Sequence, residues 1–86
     1  PFIERTVYSI TNEHGERSSI SVSKFDADIL QCCIVDVHKF IQIAYDKICE
    51  VSSGLGRVKK GDLVRLLASR EAQKYPSYRI ELNRLL

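Results

Sequence analysis

The chain has 86 residues, a formal net charge of +2 and 44% hydrophobic residues, which bounds it to one domain, residues 1–86, with a small core of its own. Asp28, Asp36, Lys39 and Asp46 interrupt the one long apolar region, and Glu4 and Arg5 stand where the apolar stretch of a secretory signal would begin, so a membrane span and a leader are not expected. The charge is too small for a protein that coats DNA, but it is unevenly placed: five bases face eight acids up to Glu50 (−3), and eight bases face three acids after it (+5), an asymmetry that can steer an acidic partner or nucleic acid.

Residues 2–23 support two readings. Ile3, Val7 and Ile10 share a helical face, whereas Thr6, Val7, Tyr8, Ile10 and Thr11 are strand-favouring types. Asn12-Glu13-His14-Gly15-Glu16 is a polar turn, and Ser18 to Ser23 alternates, with Ile20 and Val22 on one side. Without further context this stretch reads as a β-hairpin.

The next segment reads as one helix from Phe25 to Val51, about seven turns and roughly 40 Å long. Ser23 is its natural N-cap, and Asp26 and Asp28 place negative charge in its first turn. One apolar seam runs through Leu30, Cys33, Ile34, Val37, Ile41, Ala44, Tyr45 and Ile48, and a second through Ile29, Cys32, Phe40 and Ile43. A surface helix needs one apolar stripe, so two seams predict burial between two bodies, and a chain this short would need a partner to supply the second. Cys32, Cys33 and Cys49 all fall in this helix. Adjacent helical cysteines point about 100° apart, so Cys32 and Cys33 are not expected to pair, and the three read as small buried side chains of a reducing compartment.

Gly54 or Gly56 can end the helix in the left-handed conformation. Arg57, Val58 and Lys59 read as extended, Asp62 as the opening of a short helix with Leu63, Val64, Leu66 and Leu67 inward, and Pro76 as the first turn of a last helix carrying Ile80, Leu82 and Leu85.

The order short element, long helix, short helix, with Gly56-Arg57-Val58 followed by Asp62-Leu63-Val64 and Leu66-Leu67, resembles the histone fold. With the extra C-terminal helix it is most similar to the small histone-fold subunits of the transcription assemblies TFIID and SAGA. The resemblance covers roughly Ser23 to the C-terminus. It implies an all-α fold with a short first helix in place of the hairpin, the α+β hairpin fold being the alternative. It implies a second histone-fold chain as heterodimer partner, a larger transcription-initiation or coactivator complex, and a nuclear location. Leu30, Ile34, Val37, Ile41, Ala44 and Ile48 would form the partner face. Ile20, Val22 and Val58 would supply the paired loops, and Arg57 with Asp62 the loop clamp. Lys59, Lys60, Arg65 and Arg70 are the candidates for contact with DNA or an acidic partner.

Sharper chemistry finds little support in the residues. Cys33 and His38 lack the second cluster that a metal site needs, and Gly54-Leu55-Gly56-Arg57 lacks the Walker spacing. No catalytic residue, metal ligand, cofactor or small-molecule substrate is therefore assigned. Tyr75 and Tyr78 beside Lys74 and Arg79 could stack on bases, with packing of the last helix as the commoner role. Two function classes stand: a non-enzymatic histone-fold subunit of a transcription or a centromere or DNA-repair complex, and a small DNA-binding homodimer whose N-terminal β-ribbon enters a groove.

Overall fold

A computed structural model describes residues 4–52 and 59–86, together with the backbone of Arg57 and Val58. The fold is α+β. A two-stranded antiparallel hairpin, β1 (Arg5–Thr11) and β2 (Arg17–Ser23), packs on four helices: α1 (Lys24–Cys33), α2 (Val37–Val51), α3 (Arg57–Gln73) and α4 (Pro76–Leu85). The all-α histone fold is thereby overturned, and the alternation at Ser18 to Ser23 prevails over the helical spacing of Ile3, Val7 and Ile10.

The turn shows why. Asn12 Oδ1 accepts from the amides of His14 and Glu16, both at 2.9 Å, and Asn12 O accepts from Gly15 N at 3.0 Å. Gly15 has φ 77°, which a residue without a Cβ adopts freely. A four-residue turn, Asn12 to Gly15, whose last residue is a left-handed glycine is a favoured way to join two strands of this twist. It sets the register Tyr8↔Ile20 and Thr6↔Val22, which places Tyr8, Ile10, Ile20 and Val22 on one face, against the helices.

The predicted long helix is two helices. Ser23 caps α1 as expected, its side chain accepting from Asp26 N at 3.2 Å. The chain then leaves the helix at Ile34, which is extended (φ −123°, ψ 155°), and Val35 is fully exposed. Asp36 restarts it, its carboxylate accepting from Lys39 N at 3.0 Å. β-branched Ile34 and Val35 favour the extended backbone, and Asp36 is a strong N-cap. The apolar period survived in the sequence because both helices turn the same seam inward.

That seam is covered from within the chain. Leu30, Val37, Ile41, Ala44, Tyr45 and Ile48 are buried with Ile20 and Val22 of the hairpin and with Val64, Ala68 and Ala72 of α3, while Ile34 is half-buried. Seven of the eight predicted interface residues that are described therefore line the core, and the hairpin and α3 supply the second body that the long helix was expected to find in a partner. Along α3, Gly61, Val64, Ala68 and Ala72 form a stripe of small buried residues that lets the helix lie close to its neighbours. α3 also begins earlier than expected: Arg57 to Lys59 are helical, not extended, and Asp62 lies inside the helix.

α4 has Pro76 at its start and buries no residue completely. Its attachment is aromatic: the Tyr78 ring meets Phe25 edge-on at 5.2 Å, and Ser77 Oγ lies 3.2 Å from Cys33 Sγ. Ile80 and Leu85 face outward. Of the cysteines, Cys32 is exposed and the other two are half-buried, so the three are not uniformly buried, and all are free thiols.

Candidate functional site

Two places gather polar chemistry. The first joins the hairpin turn to α2 and α3. Lys60, 5% exposed, reaches from α3 to an ion pair with Glu13 in the turn. Tyr45 Oη donates to Glu13 Oε1 at 2.8 Å, and Cys49 Sγ lies 3.7 Å from Glu13 Oε2. The Lys60 ammonium and the Tyr45 hydroxyl hold the Glu13 carboxyl down to about 2. Pairing with Glu13 pushes the Lys60 ammonium up, against the opposing effect of burial, and burial with the Glu13 hydrogen bond pushes the Tyr45 phenol up. All three shifts favour the form already present at neutral pH. A nucleophilic lysine or a phenolate base needs shifts of the opposite sign, so the cluster ties the turn down and activates nothing.

The second place is the free edge of β2. Asn12 N donates to Glu16 O at 2.8 Å, so that pair is hydrogen-bonded across the hairpin. Pairing alternates along an antiparallel ladder. Ile10↔Ser18, Tyr8↔Ile20 and Thr6↔Val22 are therefore the bonded pairs, and the main-chain groups of Thr11, Ser9, Val7, Ser19 and Ser21 point away from the partner strand. Two contacts agree with this. On the β1 side, the Gln42 side-chain amide takes both groups of Thr11, accepting from its N–H at 2.8 Å and donating to its carbonyl at 3.0 Å. On the β2 side, Arg65 Nη1 donates to Ser21 O at 3.2 Å.

The two edges differ in what lies beside them. A cleft of about 510 Å³ runs along β2 and is lined by Ser18, Ser19, Ser21, Tyr45, Gly61 and Arg65, with Val7, Ile10 and Ile20 as its apolar part. Gly61 leaves the α3 wall without a side chain; a Cβ there would stand 3.5 Å from the Arg65 guanidinium. Asp62, one of the two residues of the predicted clamp, pairs with Arg65, one helical turn on, and so helps hold that guanidinium at the cleft. The clamp itself and Val58 lie outside the described side chains.

The four predicted basic contacts separate. Lys60 and Arg65 are engaged in the contacts above, whereas Lys59 and Arg70 are exposed. Among the described residues no group of three or more His, Cys, Asp or Glu could hold a metal ion, and no helix is long and apolar enough to cross a membrane. Sequence reasoning missed the edge cleft, because Gly61 and Arg65 meet β2 only through tertiary packing. The signal that was available was Gly61 itself, a poor helix former inside what proves to be a helix. No family model matches this chain, no curated protein sequence matches it, and no solved structure matches its fold.

Proposed function

We propose that this domain is a non-catalytic binding module that takes an extended peptide of a partner protein as a third strand against β2. The observation that carries the reading is the coincidence of the outward main-chain groups of Ser19 and the outward N–H of Ser21, whose carbonyl Arg65 already holds, with a cleft whose far wall lacks a side chain at Gly61. Strand addition draws affinity from main-chain hydrogen bonds and selectivity from the pockets that alternate side chains meet. Arg65 lies over the cleft, already shared between Ser21 O and Asp62, and it favours a peptide that presents a carboxylate there.

The partner-binding role expected from the sequence is thus kept as a proposal, on a different surface and without the histone pair. The β-ribbon reading has its strands, but the outward ribbon face (Arg5, Val7, Ser9, Thr11, Arg17, Ser19, Ser21, Ser23) carries two cations, a small electrostatic footprint for DNA.

Proline tests the edge directly, because it removes one main-chain donor and is tolerated on an edge strand only where that donor faces outward. Selection from a random peptide library displayed on phage, followed by fluorescence polarisation with a selected peptide, supplies the assay. Ser19→Pro is expected to keep the fold and lose peptide binding. Ser19→Ala, which keeps the N–H, is expected to bind like the parent. Equal binding by Ser19→Pro and the parent, or amide-shift changes that avoid β2 on peptide addition, would refute the proposal.

A further inference from the structure

A second surface is independent of the β2 edge. Between α2 and α3 lies a groove lined by Phe40, Ile43, Lys47, Leu67, Arg70 and Lys74, of about 290 Å³. At the elbow between α3 and α4 lies a hollow of about 570 Å³ whose walls include Gln73, Lys74, Tyr75, Tyr78, Arg79 and Asn83. Lys74 lines both, so the two adjoin with Lys74 between them and together make one interrupted channel.

Its charge is one-sided. Lys47, Arg70, Lys74 and Arg79 line it against a single carboxylate, Glu71. That carboxylate is already occupied, pairing with Lys74 at 3.0 Å and accepting from Tyr75 Oη at 3.0 Å. The channel therefore gathers more positive charge than the +2 of the whole chain. Its aromatic residues are Phe40, Tyr75 and Tyr78, all half-buried and packed at the margin of the core. The amides of Gln73 and Asn83 add donors and acceptors in the elbow.

The geometry points to a single strand of nucleic acid as the occupant of this channel. Cations along a groove follow a phosphate backbone, and aromatic side chains beside them offer unpaired bases a surface on which to stack. A duplex presents its phosphates but hides its base faces, and an acidic peptide supplies charge without rings. The combination of rings and cations favours the unpaired strand over both. Half-buried Phe40 and exposed Ile43 belong to the second apolar seam of α2, which the core covers only in part, so the same channel explains why α2 is apolar on two sides.

The test uses fluorescence polarisation of a labelled oligothymidylate with the whole chain, across a range of salt. Binding is expected to weaken as salt rises, and the log–log slope should fall by about 0.7 for each phosphate contact removed. Arg70→Gln and Arg79→Gln, both exposed and remote from the core, are expected to weaken binding by about tenfold together while leaving the melting temperature unchanged. Tyr75→Leu, which keeps an apolar side chain but removes the ring, should weaken the oligonucleotide and leave the salt slope in place. Ser19→Pro, which blocks the β2 edge, should have no effect, so the two surfaces fail separately. Equal affinity for a duplex of the same length, equal affinity for polyglutamate, or wild-type binding by the doubly substituted chain would overturn the proposal.

Discussion

Shortening Ile41 to alanine separates a self-sufficient fold from one whose α2 face waits for a partner. Ile41 is 0% exposed, and Leu30 and Val64 of the same core are equally closed to solvent. Removing a side chain from such a site costs its transfer free energy and leaves a cavity that tight neighbours cannot collapse, about 4 kcal/mol. An 86-residue domain has a total stability of about 4–13 kcal/mol, so the loss is a large share of it. At about 4–8 °C per kcal/mol for a domain of this size, the melting temperature should fall by about 15–30 °C. Ile43, two positions along the same helix and 55% exposed, supplies the control. Its replacement by alanine should cost under about 1 kcal/mol and a few degrees. Thermal and urea melts followed by circular dichroism and tyrosine fluorescence read both variants, with sedimentation to establish that the parent is monomeric. Equal shifts for the two variants, or an Ile41→Ala chain that melts within about 5 °C of the parent, would mean that α2 does not turn Ile41 into an internal core.

Glu13→Gln tests the ion pair with Lys60 by pH. The Glu13 carboxyl has an ordinary value of 4.5 and is held at about 2 in the fold, so its pairing contributes fully above about 4.5 and is lost as pH falls toward about 2. Lys60, raised above its ordinary 10.5, contributes below that pH and loses its contribution as pH rises through the raised value. Melting temperatures of the parent should therefore fall between about pH 4.5 and 2 more steeply than those of Glu13→Gln; parallel profiles would remove Glu13 from the account. Gly61→Ala should act in opposite directions on fold and binding. The side-chain atoms nearest the added Cβ are those of the flexible Arg65 guanidinium, at an ordinary contact distance of 3.5 Å, so the helix gains about 0.5–1 kcal/mol while the cleft narrows. A higher melting temperature with weaker peptide binding is expected, and unchanged peptide affinity would take Gly61 out of the cleft wall.

The sequence displayed the local signals and withheld the pairing between elements. Ser23, Asp36, Gly15 and Pro76 each occupy the position that their chemistry favours. Asp36 was legible as a second N-cap, yet the unbroken apolar period drew α1 and α2 into one helix, because two helices that share a core can share a phase. The start of α3 was obscured by Arg57, Lys59, Lys60 and Gly61, which carry no apolar period at all. The burial of Lys60 could not be read locally. Lysine is among the residues least often buried, and its partner Glu13 stands 47 positions away. The histone-like order of elements followed from the same merged helix, and it falls with the break at Ile34 to Asp36.

Gln42 gives the hairpin a polarity in assembly. Its amide lies on Thr11 as a neighbouring peptide group would, holding both the N–H and the carbonyl at the turn end of β1. A strand edge that copies itself head to tail, β2 of one molecule onto β1 of the next, generates an open filament because nothing closes the series. One side chain thus acts as a chain terminator, since full-length pairing on β1 must first evict it. On the proposed reading, a strand added at β2 meets one occupied carbonyl, Ser21 O, whereas one added at β1 meets a peptide-like amide that holds both groups of Thr11, so the two edges are unequal templates for growth.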